Sequence, residues 1–207
     1  MAPELARDRR TQRAARVVGI VLAAGRGERF GGDKLMAPLT QTRADIPAGT
    51  PLALAACRHV IAALPETIVV VRAGATAIES VVAGTGAVIV RCPDADAGMS
   101  ATLACGVRAR ANADGWVIAL GDMPWIDPRT IRSVARAVVN GAPVAAPFFN
   151  GRRGHPVGFG SALRDALLAL GGDQGARDIV QAHEAALMRI DVDDPGILRD
   201  VDTPADL

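Results

Sequence analysis

The stretch that decides the fold reads VVGIVLAAGRGERFGGDK and runs from Val17 to Lys34. It begins with a continuous apolar run at 17–23, which is typical of a strand buried on both faces of a parallel sheet. A glycine-rich turn with several basic side chains follows this run at once. Because ligands of open α/β sheets bind beyond the carboxyl ends of the strands, this turn is the first candidate for chemistry.

Apolar runs and helical segments alternate along the rest of the chain. The predicted strands cover 17–23, 67–72, 87–91, 116–120, 143–147, 156–159 and 186–191. The predicted helices cover 51–63, 75–82, 100–110, 128–140, 161–170 and 174–183, with a last short turn or helix near Thr203. This alternation predicts an α/β fold, a single Rossmann-like three-layer domain with a mostly parallel sheet and helices on both faces.

Composition argues against several classes of protein. The chain has 207 residues, of which 50% are hydrophobic, 22% are charged and 3% are aromatic, with a net charge of +1 and no tyrosine. The apolar content excludes wholesale disorder. Scarce aromatic side chains and a balanced charge argue against a nucleic-acid partner. No apolar run approaches the ~18 residues that a transmembrane helix requires, so we expect no membrane association.

The N-terminus and the cysteines bear on localisation. Residues 1–16 are rich in arginine, and we predict a flexible basic tail there, followed by the domain at 17–207. The apolar run after it is short, ends in charged residues and has no clean A-x-A cleavage site, which argues against a signal peptide. Cys57, Cys92 and Cys105 form no CxxC pair and are typical of buried thiols in a reducing cytosol. We therefore predict a cytoplasmic protein.

The glycine-rich turn fits neither of two standard phosphate-binding motifs. The pattern G-x-G-x-x-G, started at Gly25, requires a small residue where Phe30 stands. The P-loop pattern requires a lysine after its last glycine, where Asp33 stands. Consecutive backbone N–H groups in such a turn can still form an anion nest, and the basic side chains of the turn add positive charge. A flexible turn with solvated arginines is the alternative interpretation.

The turn resembles the signature loop of small nucleotidyltransferases. Residues 22–34, LAAGRGERFGGDK, are most similar to the molybdenum cofactor cytidylyltransferases among these MobA-like proteins. The resemblance implies that Arg29 and Lys34 are catalytic cations that bind the triphosphate. It implies nucleotide contacts from the turn as a whole, namely Leu22, Ala23, Ala24, Gly25 and Gly27. Relatives that transfer GMP tend to carry Leu-Ala-Gly-Gly, so Leu-Ala-Ala-Gly implies CTP.

Two acidic positions resemble metal ligands of this family. Asp122 follows the fourth predicted strand in LGDMP, and the family's G-D-M-P carries the aspartate that holds the catalytic Mg²⁺. Carboxylate oxygens suit this hard cation, although an aspartate here can also simply cap a turn. The closing DVDTPADL, residues 200–207, resembles D-I-D-T-P-E-D-L and implies Asp202 as a second acidic position near the metal. A helix cap is the alternative for Asp202.

Residues 98–103, GMSATL, open the third predicted helix and resemble the family's G-M-S-x-S-L. Ser100 is a candidate N-cap, and free N–H groups at that helix end favour an anion. The resemblance implies that Ser100 binds the nucleotide and Met99 the substrate. Cys92 and Pro93 stand where the family often has Asn-Pro, which leaves the base contacts there open.

Two later motifs resemble the acceptor half of the family. The motif GHP at 154–156 implies substrate contacts from His155 and Pro156, with a general-base role for His155 left open. The motif GDQGAR at 172–177 implies an acceptor contact from Asp173. Without the resemblance, His155 is an ordinary polar residue and Asp173 caps a helix.

The resemblance covers residues 17–207 and implies a nucleotide-diphospho-sugar-transferase-like fold. It implies transfer of CMP from CTP to the phosphate of molybdopterin, with Mg²⁺ as cofactor and a molybdoenzyme as a candidate client. Alternatives are a cytidylyltransferase for a sugar- or polyol-phosphate of the methylerythritol phosphate type, and a non-catalytic molybdenum cofactor carrier. Both cytidylyltransferase hypotheses require Lys34 and Asp122 to face each other across the sheet edge.

Overall fold

A computed structural model of the chain describes residues 15–27, 30–42 and 46–207. Its strands, in chain order, are β1 Val17–Ala23, β2 Thr67–Arg72, β3 Val88–Cys92, β4 Gly115–Leu120, β5 Val144–Phe149, β6 Arg152–Arg153, β7 Val157–Gly160 and β8 Leu187–Asp191. Its helices are α1 Leu52–Ala63, α2 Thr76–Val82, α3 Met99–Ala109, α4 Pro128–Val139, α5 Arg164–Leu168 and α6 Arg177–Ala182. The alternation read from the sequence is therefore confirmed.

All of these strands belong to one sheet of order β3-β2-β1-β4-β7-β5-β6, with β8 paired to β5. Strands β1 to β4 are mutually parallel where they pair, and β5 and β8 are parallel to each other. Strand β7 lies between β4 and β5 and is antiparallel to both. The sheet is thus mostly parallel, as predicted, with β7 and the short β6 as its antiparallel members.

Helices cover both faces of the sheet because the central strands are apolar on both sides. Successive residues of β1, such as Ile20 and Val21, point to opposite faces of the sheet and are fully buried in different clusters. Helices α1 and α4 pack into one cluster with Cys57, Val60, Ile131 and Val134. The other receives α3, α5 and α6 through Leu103, Val107, Leu167 and Val180. This is the predicted single three-layer domain.

The start of α3 corrects one prediction. Gly98, with φ at +109°, occupies the N-cap, and Ser100 lies inside the first turn with no exposed surface. The Ser100 backbone N–H donates to the Gly172 carbonyl oxygen at 3.2 Å, and its hydroxyl donates to the Gly175 carbonyl oxygen at 3.3 Å. Ser100 as N-cap was therefore wrong, because a neighbouring loop satisfies the groups that a cap would serve.

The loop before α6 corrects a second prediction. Gly172 and Gly175 both adopt positive φ, so the chain turns there instead of continuing as a helix. Helix α6 begins at Arg177 with Ala176 as its N-cap, and Asp173 therefore does not cap it. Strand β6 was not predicted, since two exposed arginines carry no apolar pattern.

Arg16, the residue before β1, contacts two later segments of the chain. The Arg16 backbone N–H donates to Asp114 Oδ2 at 2.7 Å, and its guanidinium pairs with Glu66. Residues 1–14 of the predicted tail lie outside the described residues. Among the described ranges, we find no helix with the length and apolar character needed to cross a membrane.

Candidate functional site

A cavity of about 500 Å³ lies where the carboxyl ends of β1 and β4 meet the start of α3. The turn after β1 forms one wall, the segment between β3 and α3 forms another, and acidic residues from three later segments complete it. Its lining comprises Leu22, Ala24, Gly25, Arg26, Gly27, Phe30, Lys34, Leu35, Ala95, Asp96, Gly98, Met99, Thr102, Leu120, Asp122, Asp173 and Asp202. The volume lies within the ~300–1,000 Å³ that small-molecule sites occupy.

The glycine-rich turn folds back on itself and brings Lys34 into this pocket. Gly27 has φ at +65°, and a Cβ there would lie 2.7 Å from the Gly32 carbonyl oxygen. The Lys34 backbone N–H donates to that same oxygen at 2.8 Å. Leu35 is buried beside it, so the backbone at the end of the turn is anchored in the core. A side chain at position 27 would disrupt this close approach.

Lys34 makes the central polar contacts of the site. Its Nζ lies 2.8 Å from Asp122 Oδ2 and 3.3 Å from Asp202 Oδ1. Burial works against the charge of this lysine, but hydrogen bonds to both carboxylates outweigh it and raise the pKa of Lys34 above its usual value. Lys34 and Asp122 thus face each other across the sheet edge, as expected, although they are far apart in sequence.

Strand geometry explains why the two carboxylates converge. Asp122 follows β4, whose neighbour β1 leads directly into the glycine-rich turn. The Val201 backbone N–H donates to the Asp122 carbonyl oxygen at 3.0 Å, and Val201 itself is fully buried. Thr203, paired with Asp206 in a capping box, caps the last turn of the chain. Asp202 is not the cap, and its carboxylate contacts Lys34.

A second ion pair lies at the rim of the pocket. Arg26 Nε lies 3.0 Å from Asp96 Oδ1, and Arg26 Nη2 lies 2.6 Å from Asp96 Oδ2. The hydrogen bond from Arg26 lowers the pKa of Asp96. Nearby, Arg72 at the end of β2 donates to the Ala24 carbonyl oxygen at 2.8 Å. Sequence reasoning missed Asp96, although it follows a predicted strand and the strand-end rule could have identified it.

The loop that contains Asp173 packs directly against the start of α3. A Cβ on Gly98 would lie 2.1 Å from Asp173 Oδ1 and 2.8 Å from the Gly172 carbonyl oxygen. Met99 beside it is 44% exposed and lines the pocket. The motifs at 98–103 and 172–177, which the sequence presents separately, therefore form one continuous surface.

His155 does not line the pocket, but it lies near enough to Asp122 to feel the charge of that carboxylate. Its backbone N–H donates to the Ile197 carbonyl oxygen at 3.0 Å, and the bond to Pro156 is cis. Its Nδ1 is buried and has no hydrogen-bond partner in the described part of the chain. Burial lowers the pKa of His155, while the negative charge of Asp122 acts in the opposite direction. The imidazole is therefore neutral at neutral pH.

The structure thus brings most of the predicted site residues together. Those that line the pocket are Leu22, Ala24, Gly25, Gly27, Lys34, Met99, Asp122, Asp173 and Asp202. Ala23 and Ser100 have no exposed surface, so the Ser100 hydroxyl holds the neighbouring loop rather than reaching into the cavity. His155 and Pro156 are not part of the lining. Arg29, a predicted catalytic cation, lies outside the described residues.

Comparison with known proteins identifies relatives over nearly the whole chain. The chain is 27% identical over 203 residues to the purine catabolism protein PucB of Bacillus subtilis strain 168, covering 93% of this chain and 94% of PucB. It superposes on Rv0371c from Mycobacterium tuberculosis H37Rv with a TM-score of 0.78 and 27% identity, covering 94% and 96% of the two chains. A manganese complex of Rv0371c gives a TM-score of 0.71, with 26% identity and coverage of 93% and 96%.

A nucleotidyl transferase from Methanothermobacter, Mth528, gives a TM-score of 0.76 at 28% identity, covering 92% of this chain and 94% of its own. More distantly, the fold is shared with a CMP:2-keto-3-deoxy-manno-octonic acid synthetase at 14% identity and a TM-score of 0.69. Residues 19–187, which include Lys34, Asp122 and Asp173, match the MobA-like NTP transferase domain. This chain is therefore a nucleotidyltransferase of the MobA-like NTP transferase family.

Proposed function

We propose that this nucleotidyltransferase transfers CMP from CTP to the phosphate of a molybdopterin-type acceptor and releases pyrophosphate. The observation that carries the proposal is the contact of the Lys34 ammonium with Asp122 and Asp202 inside the pocket after β1. Phosphoryl-type transfer requires in-line positioning and charge neutralisation more than covalent catalysis. A cation on an anchored turn, facing Asp122 at the end of β4 and Asp202 from the last segment of the chain, contributes to both requirements.

The charge of the pocket supports a requirement for a divalent cation. Among the described lining residues, four carboxylates (Asp96, Asp122, Asp173, Asp202) face two cations (Arg26, Lys34). A triphosphate that enters this pocket needs more positive charge than these side chains provide. We propose that Mg²⁺ supplies part of it and that Arg29 supplies more.

The residues present fit Mg²⁺. Asp122 Oδ1 is buried and has no hydrogen-bond partner in the described ranges, and Asp202 contacts the same lysine as Asp122. Mg²⁺ is usually held by one or two carboxylates, with water and substrate phosphates completing its shell, and no cluster of three ligands occurs in the described residues. When bound, the ion would neutralise charge on the phosphates. The manganese complex of Rv0371c supports a divalent ion in this family.

The side chains of this chain then have distinct tasks. Lys34 neutralises charge on the α-phosphate and on the departing pyrophosphate. The acceptor phosphate is already ionised near neutral pH, so its attack requires no strong base. His155, which lies outside the described pocket lining, is proposed to position the acceptor rather than to act as a general base. Met99 and Asp173 also line the pocket. Met99 gives the acceptor an apolar contact, and Asp173 gives it an acidic contact.

The identities of base and acceptor rest on motif resemblance. The Leu-Ala-Ala-Gly form of residues 22–25 supports cytidine, and GHP with GDQGAR supports the pterin acceptor. The product would then pass to a molybdoenzyme client.

The test is pyrophosphate release from CTP, GTP, ATP and UTP, each with molybdopterin or with methylerythritol phosphate as acceptor. We expect release from CTP with molybdopterin to exceed every other combination. Fastest release with GTP would refute the assignment of the base, and fastest release with the polyol phosphate would refute that of the acceptor. Binding of molybdopterin without release from any nucleotide would indicate a carrier and overturn the proposal.

A further inference from the structure

The ammonium of Lys34 contacts the same two carboxylates that would hold the metal ion. Its Nζ is 2.8 Å from Asp122 Oδ2 and 3.3 Å from Asp202 Oδ1, and its side chain is only 13% exposed. A divalent ion on the same carboxylates would lie a few ångströms from the ammonium. Two positive charges this close in a largely buried site repel each other strongly, because little water screens them. The ammonium and the metal therefore compete for Asp122 and Asp202.

The lysine can leave this position without unfolding the turn. Its backbone N–H is bonded to the Gly32 carbonyl oxygen, and the next residue, Leu35, is buried. The backbone is thus fixed, whereas the four-carbon stem of a lysine allows its ammonium to move by several ångströms. Lys34 also lines the cavity, so an anion within the cavity is in reach.

From this geometry we infer that Lys34 is an internal competitor of the metal, which the polyphosphate of the nucleotide displaces. The ammonium contacts Asp122 and Asp202 until a polyphosphate attracts it, and its repulsion of a divalent ion at these carboxylates is then relieved. Nucleotide and metal consequently bind with positive cooperativity, and by linkage each strengthens the other equally. This inference rests on the proposed function, since it assigns the anion to a nucleotide.

The inference is tested by titrating the full chain with Mn²⁺ alone and measuring free Mn²⁺ by electron paramagnetic resonance. The variants are Lys34→Met and Lys34→Gln, which remove the charge, and Lys34→Arg, which keeps it. We expect the two neutral variants to bind Mn²⁺ at least about tenfold more tightly than wild type. Lys34→Arg should remain within about threefold of wild type. Adding Asp122→Asn to Lys34→Met should abolish the gain.

Circular dichroism establishes which neutral variants fold, and either one suffices, since both lack the ammonium. Mn²⁺ affinity equal to or weaker than that of wild type in a folded neutral variant overturns the inference. That result would leave the proposed function intact if wild type still releases pyrophosphate from CTP. Conversely, tighter Mn²⁺ binding by the variants, with no release by wild type, would support the competition and refute the proposed function.

Discussion

Two ion pairs border the pocket, and burial separates their expected roles. The side chains of Lys34, Asp122 and Asp202 are 13%, 22% and 37% exposed, whereas those of Arg26 and Asp96 are 56% and 65% exposed. Exposed pairs are screened by water and salt, so they contribute little. In the more buried contacts of Lys34 with Asp122 and Asp202, the charges interact strongly. Removing one of them leaves the others without their partner. We therefore expect Lys34, Asp122 and Asp202 to be required for catalysis. We expect the contact between Arg26 and Asp96 at the rim to be replaceable.

The largest effect is expected from breaking the buried cluster. Asp122→Ala and Lys34→Ala should each lower turnover by about 10²-fold or more, because each removes charge at the reacting phosphates. Both side chains point into the cavity rather than the apolar core, so the fold should persist. Pyrophosphate release measures the first effect, and circular dichroism checks the second. Near-normal release by both variants would show that the active site lies elsewhere.

A smaller effect is expected where the two walls of the pocket meet. Gly98→Ala places a Cβ 2.1 Å from Asp173 Oδ1, at a φ of +109° that alanine disfavours. We expect a loss of about 1–3 kcal/mol in the free energy of unfolding, measured by denaturant titration. Gly86→Ala is the matched control, because Gly86 also has a positive φ of +89° but no atom lies within 4 Å of its added Cβ. Equal stability of the two variants would contradict the packing of the Asp173 loop on α3.

His155 predicts a pH dependence of stability. Because its pKa is lowered in the folded state, the unfolded chain binds the proton more readily. The contribution of the neutral imidazole is complete above the ordinary pKa of about 6.5 and is lost as the pH falls from there towards the folded-state pKa. His155→Asn should reduce this loss below about pH 6.5 in urea titrations. An unchanged pH profile in the variant would show that another group causes it.

The smallest effect is expected at the rim. Arg26→Gln and Asp96→Asn should each change turnover by less than about threefold, since the pair is exposed. A loss comparable to that of Asp122→Ala, measured under the same conditions, would remove the distinction between the two ion pairs.

How far the sequence predicts the fold depends on the type of segment. The bounds of β1 and β2 are confirmed to the residue, because each is an uninterrupted apolar run with a clear end. The antiparallel placement of β7 between β4 and β5 was not predictable, since strand order is set by tertiary packing. Strand β6 carries only exposed arginines and gives no signal.

In the candidate site, too, some contacts could be predicted from the sequence and others could not. The approach of Lys34 to Asp122 was predictable because both follow neighbouring strands of a parallel sheet. The contact of Asp173 with Gly98 was not, because it depends on how a loop with two left-handed glycines folds back on α3. The prediction of Ser100 as the N-cap of α3 was wrong for the same reason, because the hydroxyl of Ser100 donates to that loop.

A crystal structure of the protein with CTP and Mg²⁺ would show directly whether Lys34 and Asp122 form the nucleotide site. We predict that the triphosphate contacts Lys34 and the turn at residues 24–27, with the ion on Asp122. A nucleotide bound away from this turn, for example in the acidic cleft between Asp127 and Asp194, would refute this assignment of the site.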